Sequence, residues 1–283
     1  MTTTPAVAPA ARWPDRTPRL VATDLDNTLL HPDGSISPRT EAALRVAAAS
    51  GIEVVFVTAR PPRWITGLAR HVAGHGVVIC ANGAAVVRAA DGGLLADHGM
   101  PRALVGRLAA RLRDVWGDDV HLAAESAAGY AAEHGFVSEH AEPTDSPRVA
   151  RIEDALTEST FKLLVRTSPP PPSDFLARVG VALGPDALVS DSGAIALGEV
   201  SGAGVTKAAT LARWANERGI AAVDVWACGD APNDLPMLTW AGESFAVANA
   251  FDVVREAARH TCPSNADDGV AHVLEHAAAL AQA

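Results

Sequence analysis

Short apolar runs alternate with helix-like stretches at both ends of the 283-residue chain. The runs are short and rich in β-branched residues, as buried strands are. One intervening stretch, 40–50, is preceded by Ser37 and Pro38 and followed by Gly51, which is the pattern of a capped helix. Strands that alternate with helices form parallel sheets with right-handed crossovers. We therefore predict an α/β fold in which both ends of the chain build one domain around a parallel sheet.

The alternation defines the predicted elements of this domain. Its strands are 20–25, 52–57, 77–80, 223–228 and 245–247, and its helices are 40–50, 64–72, 205–218 and 234–240. The segment before them, residues 1–19, is rich in Thr, Ala and Pro and lacks the continuous apolar run of a signal peptide. We predict that this segment is a flexible tail.

The middle of the chain has a different pattern. Two strand-like runs, 85–88 and 94–98, flank Asp91-Gly92-Gly93, which indicates a hairpin and not a crossover. Further elements are predicted there, namely helices 102–116 and 175–181 and strands 161–165 and 187–190. We predict that residues 83–198 form an inserted α+β domain, and that residues 20–82 and 199–283 form the α/β core.

Composition restricts the partners and the compartment. A net charge of −10 disfavours nucleic acid or an anionic membrane as a general partner, because both require a basic surface. No stretch reaches the roughly 18 uncharged apolar residues that a membrane span needs. The three cysteines, Cys80, Cys228 and Cys262, cannot all be paired, and none forms a Cys-x-x-Cys motif. A reducing cytoplasm is the simpler expectation.

Two groups of acidic residues follow predicted strands of the core. Asp24 and Asp26 end the first strand, and Gly229-Asp230-Ala231-Pro232-Asn233-Asp234 follows strand 223–228. Ligands bind at the carboxyl ends of strands in open parallel sheets, so both groups are expected at one edge. Neighbouring carboxylates repel unless a cation or a proton neutralises them, and hard oxygen ligands suit Mg²⁺. The start of a helix, with Asn233 as its N-cap, would explain the second group without a metal.

Thr58-Ala59-Arg60 and Lys207 could complete a site for phosphate. The first segment closes strand 52–57, where a hydroxyl and backbone N–H groups near a helix start can hold an anion. Lys207 lies at the start of helix 205–218 and could place one ammonium on a phosphate. Each also has an ordinary explanation, as a strand-ending Thr beside a surface Arg or as a solvated Lys. Their significance therefore depends on the acidic groups.

Taken together, these segments resemble the four motifs of the haloacid dehalogenase-like superfamily, in order, over residues 20–275. The matching residues are Asp24, Asp26 and Thr28, then Thr58, then Lys207, then Gly229-Asp230 with Asn233-Asp234. A second set of segments resembles the Cof-type branch with a class-two cap: 79–84 (Ile-Cys-Ala-Asn-Gly-Ala), the large insertion, Glu199-Val200 and Asn249-Ala250. Asn27 and Ala59 stand where that branch often has Gly, and neither change removes a catalytic group. The resemblance implies a Rossmann-like core and an inserted cap domain.

The resemblance also implies a magnesium-dependent phosphatase. Asp24 would attack phosphorus, and Asp26 would protonate the leaving oxygen and later activate water against the aspartyl-phosphate. Mg²⁺ would be held by Asp24, the backbone carbonyl of Asp26 and Asp230, with Asn233 and Asp234 in support.

Contacts to phosphate and substrate are implied as well. Thr58, Ala59 and Lys207 would bind the phosphate. Arg60, Asn82 and Glu199 are candidates to lie near the leaving group of a small phosphorylated metabolite, and sugar phosphates, flavin or pyridoxal phosphates and phosphoglycerate-type esters all stay open as substrates. Within the inserted domain, Glu125, Ser126 and Asp191 are candidates to reach a sugar, although solvent exposure explains them equally well. Trp64, Trp226 and Trp240 are predicted to pack in or near the core and not to serve as ligand platforms.

Other functions remain open to different degrees. A phosphomutase shares the same core motifs, and a catalytically silent binding module could retain the fold. A nicotinamide enzyme, a P-loop nucleotidase and a Gly-x-Ser-x-Gly hydrolase are disfavoured because their fingerprints are absent from the sequence.

Overall fold

The computed structural model describes residues 13–65, 76–167, 173–190 and 196–283. Its strands are β1 (Leu20–Thr23), β2 (Glu53–Val57), β3 (Val77–Cys80), β4 (Ala85–Arg88), β5 (Leu94–Asp97), β6 (Met100–Pro101), β7 (Val120–Ser126), β8 (Gly129–Glu133), β9 (Arg148–Val149), β10 (Ser159–Thr160), β11 (Lys162–Thr167), β12 (Ala187–Ser190), β13 (Gly198–Gly202), β14 (Val225–Gly229), β15 (Glu243–Val247) and β16 (His260–Cys262). Its helices are α1 (Pro38–Ala49), α2 (Arg102–Trp116), α3 (Phe175–Leu183), α4 (Lys207–Glu217), α5 (Leu235–Trp240), α6 (Asp252–Ala257) and α7 (Gly269–Gln282). Most of the predicted tail and of the predicted helix 64–72, and Asp191, lie outside the described residues.

The larger sheet has eight strands in the order β16-β15-β14-β1-β2-β3-β4-β5. From β16 to β3 every neighbouring pair is parallel, as the alternation of strands and helices predicts. The central strands β1 and β14 are buried along their whole length, because helices cover both faces of such a sheet. The fold class predicted from the sequence is confirmed.

Local signals set the ends of the helices that flank this sheet. The Ser37 hydroxyl accepts a hydrogen bond of 3.0 Å from the Thr40 backbone N–H and caps α1. In the same way, the Thr206 hydroxyl accepts a bond of 3.0 Å from the Ala209 N–H and caps α4. Each cap thus satisfies a backbone N–H that the helix itself leaves without a partner.

The hairpin formed by β4 and β5 belongs to the larger sheet, and its predicted place in the inserted domain is wrong. Strand β4 pairs antiparallel with β3, and β5 pairs antiparallel with β4, so the hairpin extends the edge of the parallel sheet. The sequence pattern identifies a hairpin, but it does not determine which sheet receives it.

A smaller sheet of six strands has the order β12-β13-β11-β7-β8-β9. One of its faces packs on α2 and α3 around residues such as Leu108, Leu163 and Val179. Because β13 pairs with β11 and β12, the predicted boundary at 198/199 is wrong, and Glu199 lies on the smaller sheet. The other particulars of the predicted domain division stay predictions. None of the described helices has both the length and the apolar character needed to span a bilayer.

Candidate active site

The two acidic segments leave the larger sheet side by side. Strands β1 and β14 are neighbours, with Thr23 opposite Cys228, and the Asp24 backbone N–H donates a hydrogen bond of 3.0 Å to the Cys228 carbonyl. Parallel neighbours end at the same edge, so Asp24 and Asp230 emerge next to each other.

Three buried carboxylates form a cluster at this edge. Oxygen atoms of Asp24, Asp230 and Asp234 all lie within 4.8 Å of one another. The Lys207 ammonium donates hydrogen bonds of 2.7 Å to one oxygen of Asp24 and one oxygen of Asp234. The Thr28 hydroxyl donates a bond of 2.6 Å to Asp230. Three carboxylates face one ammonium, so the cluster carries an excess of negative charge.

Burial and the neighbouring charges both shift the pKa values of these groups. Burial raises the pKa of Asp24 well above its usual range; Lys207 opposes this rise, and the charges of Asp234 and Asp230 add to it. Burial also raises the pKa of Asp230 to about 6. Burial by itself would lower the pKa of Lys207, but Asp234 and Asp24 outweigh it and raise that pKa. A divalent cation beside Asp24 and Asp230 would relieve the repulsion between them.

Asp234 and Asn233 differ in how they face the site. One Asp234 oxygen accepts hydrogen bonds of 3.1 Å from the backbone N–H groups of Asp230 and Ala231, and the other accepts a hydrogen bond from Lys207. The side chain is fully buried behind the site. Asp234 thus shapes the loop that presents Asp230. Asn233 lines the cavity; its amide N–H donates to Asn82, while its buried Oδ1 has no hydrogen-bond partner among the described residues. That free oxygen, with Asp24 and Asp230, suits a hard cation or its bound water.

Asp26 lies in the loop after β1 and faces the cavity. Its carboxylate accepts two hydrogen bonds from Arg60, at 2.5 Å from Nη2 and 2.9 Å from Nε, and its side chain is 48% exposed. The next residue, Asn27, has a φ of 57°. This left-handed conformation explains why Gly is frequent there in the related motif and why Asn is tolerated.

Thr58 and Ala59 form the loop at the end of β2. Thr58 is fully buried, and its hydroxyl accepts a bond of 3.0 Å from the Arg60 backbone N–H. The Ala59 carbonyl accepts a bond of 2.6 Å from Lys162, which comes from the smaller sheet. This loop is therefore held from both sheets.

A chain of polar contacts continues from Lys162. Lys162 donates a hydrogen bond of 2.9 Å to Glu199, and Asn82 donates one of 3.1 Å to the same Glu199 carboxylate. Asn82 also accepts a hydrogen bond of 3.2 Å from Asn233. Asn82 and Glu199, both predicted near the leaving group, therefore contact each other. Lys162 is not among the site residues predicted from the sequence, although it is one of only two lysines in the chain, the other being Lys207.

A cavity of about 730 Å³ lies between the acidic edge of the larger sheet and the smaller sheet. Of the predicted site residues, those that line it are Asp24, Asp26, Ala59, Arg60, Glu199, Lys207, Asp230 and Asn233. Thr58, Asn82 and Asp234 lie behind this surface. Glu125 also lines the cavity, whereas Ser126 does not. Trp64, expected to pack near the core, forms part of the cavity wall.

Comparisons with known proteins agree on the family. The model of the haloacid dehalogenase-like hydrolases matches residues 21–274. A 5-amino-6-(5-phospho-D-ribitylamino)uracil phosphatase of Bacillus subtilis (strain 168) is 40% identical over 78 residues, which span 28% of this chain and only 31% of that relative's length. A phosphoglycolate phosphatase of Halorubrum lacusprofundi is 29% identical and is matched over 90% of this chain and 95% of its own length.

A solved structure supports the fold. It is a phosphatase of the haloalkanoate (HAD) superfamily from Bacteroides thetaiotaomicron, with a TM-score of 0.76 and 23% identity. The match covers 97% of this chain and 99% of that one.

Proposed function

This chain belongs to the haloacid dehalogenase-like hydrolase family, and we propose that it is a magnesium-dependent phosphatase that hydrolyses a small phosphorylated metabolite through an aspartyl-phosphate. The observation that carries the proposal is the meeting of Asp24, Lys207 and Asp230 at one end of a cavity that Asp26 also lines. The two sequence relatives act on esters with very different leaving groups, so the substrate is not taken from either of them.

Asp24 is the nucleophile of the proposed reaction. Lys207 holds one of its carboxylate oxygens at 2.7 Å and so orients the carboxylate for in-line attack on phosphorus. The new bond joins this oxygen to phosphorus, the ester bond breaks, and its electron pair goes to the leaving oxygen. The Lys207 ammonium and the Ala59 backbone line the cavity and are suited to bind the phosphate oxygens, and the Thr58 hydroxyl, which lies just behind them, completes this predicted phosphate site.

Asp26 supplies and removes protons. In its protonated form it donates a proton to the leaving oxygen in the first step, and in the second step, as the carboxylate, it takes a proton from the water that attacks the aspartyl-phosphate. The paired contact with Arg60 fixes the direction of its carboxylate within the cavity wall. Release of phosphate returns Asp24 to its starting form.

The donor set at the sheet edge fits Mg²⁺. Asp24, Asp230 and the backbone carbonyl of Asp26 would hold it, and the free Oδ1 of Asn233 would support it. When bound, the ion neutralises the repulsion between the carboxylates and the phosphate and stabilises charge on the phosphoryl oxygens. Asp234 holds the loop that carries Asp230 in place.

The smaller sheet acts as a cap over this site. Lys162 and Glu199 extend from it to contact Ala59 and Asn82 next to the phosphate loop. A cap in this position excludes water and places substrate-selecting residues above the reacting phosphorus.

Phosphate release from a panel of phosphomonoesters, measured with and without Mg²⁺, tests the proposal. We expect metal-dependent release that Asp24→Asn abolishes, while Asp252→Asn, a change at an exposed position, leaves the rate unchanged. Phosphate that migrates within a sugar in the presence of a bisphosphate activator would establish a phosphomutase instead. Lack of turnover with every ester would refute the proposal.

A further inference from the structure

The smaller sheet presents two different faces because side chains alternate along its strands. One face packs on α2 and α3 and includes Leu122, Ala124, Leu163, Val165 and Val200. Neighbours of these residues on the other face line the cavity, and they are Glu125, Tyr130, Lys162, Leu164, Arg166 and Glu199. The character of this second face decides what the cap end of the cavity can bind.

Each Lys and Arg among the described residues of the cavity wall contacts a carboxylate. At the cap end, Arg63 contacts Glu125 at 2.7 Å, and Arg166 contacts Glu139 at 2.9 Å. Lys162 contacts Glu199 at 2.9 Å. At the other end, Arg60 pairs with Asp26, and Lys207 with Asp24 and Asp234. Among the described residues that line the cavity, each Lys and Arg already contacts a carboxylate of the protein, with which a carboxylate or a second phosphate on the substrate would have to compete.

Between these ion pairs the cap end is apolar and aromatic. A small cluster on this face of the sheet contains Tyr130 and Phe136, with the partly buried Leu164 and Leu197 packed against it. Trp64 approaches from the larger sheet. The Tyr130 hydroxyl donates a hydrogen bond of 3.3 Å to Glu142, and the Arg63 guanidinium lies over the Trp64 and Tyr130 rings, at 4.8 and 5.1 Å from their centroids. Because Arg63 covers one face of each ring, a flat apolar group would meet the remaining faces or the edges of these aromatic walls.

The volume agrees with a leaving group of substantial size. About 730 Å³ is within the range of cavities that bury small organic ligands and is far larger than a two-carbon leaving group requires. A small ester would leave much of the apolar wall in contact with water.

We propose that the cap end of the cavity, walled by Trp64, Tyr130, Phe136, Leu164 and Leu197, binds an uncharged planar ring carried by the leaving group of the phosphomonoester. This inference rests on the proposed function and narrows its substrate class. Charged or small leaving groups are disfavoured there, because a charged group would compete with the carboxylates that already pair with the cap-end cations, and a small group would make little contact. The ring would be joined to the phosphate by a short linker that reaches from the apolar wall to Asp24.

Esters of matched chemistry test the proposal. Benzyl phosphate and cyclohexylmethyl phosphate have alcohol leaving groups of similar size but differ in planarity, while glycerol 1-phosphate and phosphoglycolate add polarity and charge. We expect kcat/KM for benzyl phosphate to exceed that for glycerol 1-phosphate by about tenfold or more, with cyclohexylmethyl phosphate between them and phosphoglycolate lowest.

Substitutions in the apolar wall test its contribution to catalysis separately from that of the catalytic groups. Phe136→Leu and Trp64→Leu should each lower kcat/KM for benzyl phosphate by about fivefold to tenfold and change that for glycerol 1-phosphate by less than about twofold. Trp116→Leu is the matched control, because Trp116 packs on Phe175 against the other face of the smaller sheet. It should leave the ratio of the two substrates unchanged.

The outcomes distinguish failure of the proposed phosphatase function from failure of the ring proposal. If no ester is hydrolysed, the proposed function fails. Hydrolysis that favours glycerol 1-phosphate or phosphoglycolate would overturn the ring proposal and leave the phosphatase intact. Equal rates for the benzyl and cyclohexylmethyl esters would overturn the requirement for a planar group. The ester panel uses the native protein, so it decides the matter even if a variant does not fold.

Discussion

Replacement of Lys207 by Met removes the ammonium that joins two buried carboxylates. Lys207 is 2% exposed, Asp24 5% and Asp234 0%, so water cannot take the place of the lost charge. The methionine side chain is of similar length and keeps the packing of the stem against its surroundings. The substitution therefore isolates the contribution of the charge and of its two hydrogen bonds of 2.7 Å.

The expected cost follows from these contacts. A hydrogen bond to a charged group contributes about 1.5–3 kcal/mol, and removal of one partner from a buried ion pair costs about 3–5 kcal/mol. Asp24 can reduce the penalty by taking up a proton, and Asp234 keeps its two bonds from backbone N–H groups. We expect the free energy of unfolding to fall by about 3–5 kcal/mol.

Urea unfolding without Mg²⁺, followed by tryptophan fluorescence, measures this loss. Arg39→Met is the control, because Arg39 pairs with Glu275 at the surface and such pairs contribute at most about 1 kcal/mol. A loss below about 1 kcal/mol for Lys207→Met would refute the reasoning that the ammonium makes burial of the two carboxylates possible.

Three further predictions concern the cap, a helix start and a tight turn. Burial raises the pKa of Glu125 above 4.5 despite its contact with Arg63, so the folded state keeps this proton to higher pH than the unfolded state does. The free energy of unfolding should therefore fall as pH rises above 4.5, which urea unfolding curves measured at a series of pH values would show. Glu125→Gln should remove this fall, and a variant whose free energy of unfolding depends on pH as the native protein's does would contradict the prediction. Ser37→Ala should lower the free energy of unfolding by about 1 kcal/mol through loss of the cap on α1, and no change in urea would show that the cap is dispensable. Gly83→Ala should prevent folding as judged by circular dichroism, because a Cβ there would lie 2.4 Å from the Thr206 carbonyl oxygen at a φ of +108°; a folded variant would disprove the close approach.

Much of the site follows from local sequence order. Asp24, Thr58 and Asp230 each end a strand of an alternating pattern, and the carboxyl ends of parallel strands meet at one edge of a sheet. The Ser37 cap depends on neighbouring residues alone, which is why the start of α1 could be predicted closely, whereas α4 was predicted from residue 205 and its cap at Thr206 was not foreseen. These features needed no knowledge of distant contacts.

Only the tertiary structure decided which sheet the hairpin and β13 join, and which side chains meet over the acidic edge. A strand pattern with a period of two assigns residues to faces, but it does not say which face lies over which partner. Trp64, Lys162 and Tyr130 therefore gave no local sign of a shared cavity. Their meeting depends on how the smaller sheet closes over the larger one, through contacts between residues far apart in the chain, such as Lys162 with Ala59 and Glu199 with Asn82.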